Sequence, residues 1–175
     1  GAKDVWIAVE SLYSMDGDRA PMESLMALAD RHEAFIVVDE AHATGVWGPD
    51  GRGLAAAFEG RDNIVALHTC GKALGASGAL VTAPRTLCDY LVNRCRPFIY
   101  ATAPSPLMAV AAREALAILS DEPERHTRLN DIVAFAGRQL AERCGVTPSG
   151  SQIQPILIGG VSRTMAAATA LQTGG

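Results

Sequence analysis

Two short stretches carry residues able to do chemistry together. Asp39-Glu40-Ala41-His42 closes an apolar run, Phe35-Ile36-Val37-Val38, and Lys72 follows in His68-Thr69-Cys70-Gly71-Lys72-Ala73-Leu74-Gly75. A carboxylate and an imidazole at the end of a buried strand could hold a protonated heteroaromatic ring. A primary amine in a small-residue loop could bond covalently to that ring's carbonyl. Pyridoxal phosphate (PLP) is the first cofactor this combination suggests. The letters D-E-A-H also spell a helicase motif, so the tetrad alone decides nothing.

Each residue has a plainer reading beside the chemical one. The carboxyl end of a strand is where open α/β sheets bind ligands. There Asp39 would keep a pyridine nitrogen protonated, because opposite charges in contact each favour the charged form. An aspartate so placed also caps the turn that follows. His42 could reach a cofactor's phenolic oxygen or bond locally, and Glu40 reads as structural, turned away from Asp39. Lys72 sits among Gly71, Ala73, Gly75, Ala76, Ser77 and Gly78, which leave room for an amine and let backbone approach a phosphate. Its plain alternative is a solvated surface lysine. The loop is not a Walker A sequence, since Ala66 and Ala73 stand where glycine and Ser or Thr are required. Ser14, after an earlier strand, and Thr69, three residues before Lys72, could each donate to a ligand or cap a turn. Asp39, Glu40 and His42 have no second acidic or histidine cluster to join, so no metal site is expected.

Strand-like and helix-like patterns alternate around these residues, which argues for an α/β fold with a largely parallel sheet. Residues 5–9 read as a buried strand, and Asp16-Gly17-Asp18 as a turn. Met22, Leu25, Met26 and Ala29 recur at helical spacing after Pro21. Residues 35–38 form the next strand, 45–53 a glycine-rich loop, and 64–67 and 79–82 two strands bracketing the lysine loop. Pro84 opens a helix that ends before Pro97, and residues 98–100 read as a short strand. Ser105-Pro106 caps an alanine-rich helix. Pro123 starts another, with Leu129, Ile132, Val133, Ala136 and Leu140 on one face. Residues 156–158 restart a strand. A domain boundary is expected near Ser120, giving segments 1–120 and 121–175.

The 175 residues are 49% hydrophobic and 19% charged, with a net charge of −4. That balance attracts neither a nucleic-acid backbone nor an anionic membrane. No apolar run has membrane-spanning length. Cys70, Cys88, Cys95 and Cys144 are widely spaced with no C-x-x-C pair, which suits reduced thiols in the cytoplasm. The first residue is Gly1 and a strand begins almost at once, so the sequence reads as the middle of a longer enzyme.

Read in order, the segments resemble the α-oxoamine synthases, PLP enzymes of the type I aminotransferase-like fold. The resemblance rests on residues 10–21 (ESLYSMDGDRAP), 38–45 (VDEAHATG) with Gly51-Arg52-Gly53, 69–75 (TCGKALG) and Ile99-Tyr100-Ala101-Thr102. It implies part of a large, mostly parallel-sheet PLP-binding domain over 1–120 and the start of a small C-terminal domain over 121–175. It also implies that Lys72 bonds the cofactor and acts as base and that Asp39 pairs with the pyridinium. His42 and Ser14 would bond the ring oxygen, and Thr69 the phosphate. Thr102 would reach the phosphate in a neighbouring subunit, which makes the expected assembly a homodimer. Ala76-Ser77-Gly78-Ala79 and Ile153-Gln154-Pro155-Ile156 resemble the branch that condenses L-alanine with a pimeloyl thioester, carried by coenzyme A or an acyl carrier protein. Branches using glycine or serine are the nearer alternative, and a DEAH-type nucleic-acid-dependent ATPase the distant one. The latter lacks its Gly-Lys-Ser/Thr loop and its basic surface. The family's ring-stacking residue, upstream phosphate-binding turn and carboxylate-binding arginine are expected outside residues 1–175, so this segment is not expected to turn over alone.

Overall fold

The computed structural model describes residues 5–174. Four strands form one sheet in the order β1-β2-β3-β4: β1 Trp6–Glu10, β2 Phe35–Asp39, β3 Ile64–Thr69 and β4 Ala79–Thr82. β1 and β2 run parallel with Glu10 opposite Asp39, and β2 and β3 run parallel with Asp39 opposite Leu67. β4 returns antiparallel to β3, pairing Thr69 with Ala79. The lysine loop is therefore the connection of a hairpin, and Lys72 is held at the same sheet edge as the end of β2.

Side-chain alternation along a strand separates two faces. Ile36, Val38, Ile64 and Ala66 are buried on one face, against Met22 and Met26 of α1 (Met22–Arg31). Met22, Met26 and Ala29 follow the i, i+4, i+7 spacing that turns one helix stripe inward. Burial of each large apolar side chain there contributes about 1.5–3 kcal/mol. Glu40 and His68 continue this buried face, whereas Glu10, Asp39, Leu67 and Thr69 share the other by register. Asp39 and Glu40 thus point to opposite sides of the sheet.

Helices fill the rest of the chain. α2 (Arg85–Arg94) and α3 (Arg96–Ile99) precede α4 (Pro106–Asp121), whose first turn is capped by Ser105 Oγ accepting from Leu107 N. α5 (Pro123–Cys144) ends at Gly145, which takes the left-handed conformation with φ +63°. α6 (Val161–Thr173) follows. Ala112, Ala115 and Leu119 of α4 pack against Cys70, Leu74 and Ala76, so α4 is the floor under the lysine loop.

Three local expectations change. Residues 98–100 are not a strand: the amides of Phe98 and Ile99 both bond the Cys95 carbonyl, closing the single helical turn α3. Residues 156–158 have no ladder partner among the described residues and stay irregular. On α5 the shielded side runs through His126, Leu129, Val133, Ala136, Gly137 and Leu140, while Ile132 is exposed. No helix among the described residues is long and apolar enough to cross a membrane.

Candidate functional site

The carboxyl ends of β1, β2 and β3 lie side by side, and the chain at or after each one carries a candidate site residue. Asp39 ends β2, where its Oδ1 accepts from the Ala41 amide at 2.8 Å. That bond fixes the turn into the next segment. Its Oδ2 has no hydrogen bond among the described residues. The turn-capping reading of Asp39 is thus met by one oxygen, Oδ1.

Lys72 Nζ lies 2.6 Å from Nε2 of His42. Two segments thirty residues apart thus bring an amine and an imidazole into direct hydrogen-bond contact. A protonated Lys72 donates to the Nε2 lone pair, and a neutral one accepts from an Nε2–H. The contact depends on close packing behind it. A Cβ at Gly45, where φ is +78°, would stand 2.8 Å from the Ala73 Cβ, so only glycine lets the two loops approach this far. The lysine loop is closed by Cys70 N to Gly78 O and Ala76 N to Cys70 O, and pinned by buried Cys70 and Leu74.

The remaining expected residues divide. Thr69 Oγ1 accepts from Gly71 N at 3.3 Å at the mouth of the lysine loop. Ser14 is exposed beyond β1, with its backbone N–H donating to Glu10 Oε2; its hydroxyl has no partner among the described residues. Thr102 is exposed between α3 and α4, and no hydrogen bond among the described residues joins it to Lys72, His42 or Asp39. The structure brings Asp39, His42, Thr69 and Lys72 to one edge and leaves Thr102 apart.

Beneath this edge lies a buried polar network. Glu40 is fully buried and accepts from Ser11 Oγ at 2.6 Å, Leu54 N at 3.1 Å and Ala55 N at 2.5 Å. It ties the end of β1 and the 53–55 turn to the end of β2. Thr44 Oγ1 donates to the Glu40 carbonyl at 2.8 Å and so accepts from the Nδ1–H of His68 at 2.9 Å.

Sequence reasoning missed Gln152. Its Nε2 donates to the His42 carbonyl at 2.7 Å, and its Oε1 accepts from the Trp47 indole at 2.7 Å. The guanidinium of Arg19 covers the Trp47 ring at 3.9 Å. No local signal marks a glutamine 110 residues from its partner. No group of three or more metal-ligating side chains occurs among the described residues.

A largely parallel sheet thus carries an acid, an imidazole and an amine at one edge. The chain belongs to the aminotransferase class I and II family, whose model matches residues 1–174. It is 45% identical over 172 residues to an 8-amino-7-oxononanoate synthase of Anaeromyxobacter dehalogenans, covering 97% of this chain and 43% of that protein. Among solved structures, a serine palmitoyltransferase from S. paucimobilis with a bound PLP–myriocin aldimine superposes with TM-score 0.89 at 27% identity, covering 98% of this chain and 46% of that one. The 8-amino-7-oxononanoate synthase of Francisella tularensis superposes with TM-score 0.77 at 25% identity, covering 97% and 51%. The chain spans less than half the length of the curated relative it matches.

Proposed function

We propose that the full-length protein is a PLP-dependent acyltransferase that condenses L-alanine with a pimeloyl thioester. The products would be 8-amino-7-oxononanoate, carbon dioxide and the free thiol of coenzyme A or an acyl carrier protein, a step of biotin synthesis. The observation that carries this reading is the 2.6 Å contact between Lys72 and His42, at the same end of the sheet as an Asp39 oxygen free of partners among the described residues. The 45% identity to an 8-amino-7-oxononanoate synthase supports the substrate assignment.

The donor set fits the cofactor. Lys72 would supply the amine, Asp39 an anion for the ring nitrogen, His42 and Ser14 donors for the ring oxygen, and the Thr69 hydroxyl a donor for the phosphate. Gly75 and Gly78 have open space where a Cβ would be, so the loop leaves room beside Lys72. When bound, PLP would supply an electron sink for a carbanion at the α-carbon of the amino acid. Asp39 would hold the proton on the ring nitrogen by charge pairing. In that chemistry Lys72 Nζ would be the base that takes the α-proton, and His42 Nε2, 2.6 Å away, would hold that amine in place. The Gly45–Ala73 packing would hold the loop that carries Lys72 close to the segment that follows His42.

The proposal extends to a homodimer, with Thr102 reaching across to the neighbouring subunit's phosphate, and to a domain boundary near Ser120, where α4 gives way to α5. The four free cysteines fit a reducing cytoplasm. Borohydride reduction of the full-length protein followed by peptide mapping tests the cofactor assignment. Pyridoxyl label at Lys72 is expected, and label elsewhere would sink it. A product assay offering L-alanine, glycine and L-serine against several acyl thioesters tests the substrate. A clear preference for glycine, or for serine with a long-chain donor, would overturn the pimeloyl reading.

A further inference from the structure

We infer that Gln152 is a positioning residue for the Lys72–His42 pair, acting through the His42 backbone. The inference rests on the site reading above and goes beyond it, because Gln152 touches neither reacting group. Its side chain is polarised from both ends. The Trp47 indole N–H can only donate, which fixes the Oε1 end of the amide. The Nε2 end must then face the His42 carbonyl, which can only accept. Turning the amide over would set donor against donor and acceptor against acceptor, so one orientation is imposed.

The consequence falls on the 42–43 peptide. Ala43 N bonds the Glu40 carbonyl on one side of that peptide, and Gln152 holds its oxygen on the other. With both ends held, the plane from which the His42 ring departs is fixed, and Nε2 is aimed at Lys72. Trp47 is itself held, beneath Arg19, whose Nη2 also reaches the Gly150 carbonyl. Gln152 is steadied by its own segment, where Ser151 is fully buried and packs against Gly17. A Cβ on Gly17 would come within 2.6 Å of Ser151 Oγ. Residues 149–154 therefore form a brace from the C-terminal part of the chain onto the catalytic loop. A displacement of that brace would be felt at Nζ of Lys72 through two hydrogen bonds and one peptide plane.

The test uses the full-length protein with Gln152→Glu, which keeps the acceptor for Trp47 and removes the donor to His42. Trp47→Phe removes the orienting donor and leaves Gln152 in place. Borohydride labelling of the unsubstituted protein comes first: without label at Lys72 the site reading itself falls, whatever Gln152 does. With that label present, Gln152→Glu should lower kcat about tenfold while KM for the amino acid changes less than about twofold. It should move the pH midpoint of the bound cofactor's visible band by about half a unit and leave the melting temperature within about 2 °C. In the cofactor-free protein the Ala43 amide nitrogen should shift in the NMR spectrum, since its own peptide carbonyl has lost a donor. Trp47→Phe should move the same readouts in the same direction by less. An unmoved Ala43 signal with an unchanged midpoint overturns the assignment. So does a fall in kcat that follows the melting temperature while the midpoint stays put.

Discussion

The methyl group of Ala73 and the Cα hydrogens of Gly45 are in contact across two loops, and a Cβ on Gly45 would be only 2.8 Å from that methyl. Gly45 is also left-handed at φ +78°. Gly45→Ala therefore meets a conformational penalty and a clash together, about 2–4 kcal/mol in sum. The loops should part, and Lys72 should lose His42. Denaturant unfolding of the full-length protein checks the first effect and the rate of borohydride labelling at Lys72 the second. A variant with unchanged stability and labelling would show that the close approach is not needed.

Glu40 is a buried acceptor for three donors, and that fixes what can replace it. Glutamine has the same shape, but one end becomes an NH2 that must face either Ala55 N or the Ser11 and Leu54 donors. Glu40→Gln should cost about 1–3 kcal/mol, and Ser11→Ala about 1 kcal/mol. A double-mutant cycle between positions 11 and 40 should show coupling, because they share one hydrogen bond. Additive losses would remove Ser11 from the network.

The Arg61 guanidinium beside Asp30, first through its hydrogen bond and also through its charge, holds that carboxyl below its ordinary value of 3.8. A depressed value in the folded state means a contribution present above pH 3.8 and lost as pH falls through the lowered value. Both side chains are exposed, so the contribution is screened and small. Arg61→Ala should return the Asp30 midpoint upward, toward 3.8, in a carboxyl-carbon NMR titration. An identical midpoint in both proteins would remove Arg61 as the cause.

The parts of this fold written in local pattern were legible in the sequence. Ile36 and Val38 alternate with Val37 and Asp39, so the face of Asp39 follows from the strand alone, and Met22, Met26 and Ala29 mark α1 in the same way. What depends on a distant partner was not legible. Phe98-Ile99 has the composition of a strand, but the Cys95 carbonyl captures its amides into a turn. Residues 156–158 are apolar enough for a strand, yet pairing requires a sheet edge that no local sequence announces. At the site, Asp39, His42, Thr69 and Lys72 stood out by type and position. Gln152 did not, because a glutamine acquires a role only from the indole and the carbonyl it bridges.

Asp39 offers the sharpest separation between a capping role and a chemical one. An asparagine there would keep an oxygen for the Ala41 amide, so the turn after β2 should survive Asp39→Asn with less than about 0.5 kcal/mol lost. The charge, however, would be gone, and nothing would hold the proton on a pyridine nitrogen beside it. Turnover in the full-length protein should then fall at least about 100-fold, on the order of 3 kcal/mol in the barrier. Asp39→Glu restores the charge one methylene out of place and should recover part of that loss, while Asp39→Ala should lose both the turn and the activity. The pattern to look for is stability kept and turnover lost in Asp39→Asn, measured by denaturant unfolding and by the product assay on the same preparation. If that variant turns over at the rate of the unsubstituted protein, the carboxylate is a cap alone and the pyridinium reading of this strand end must be given up.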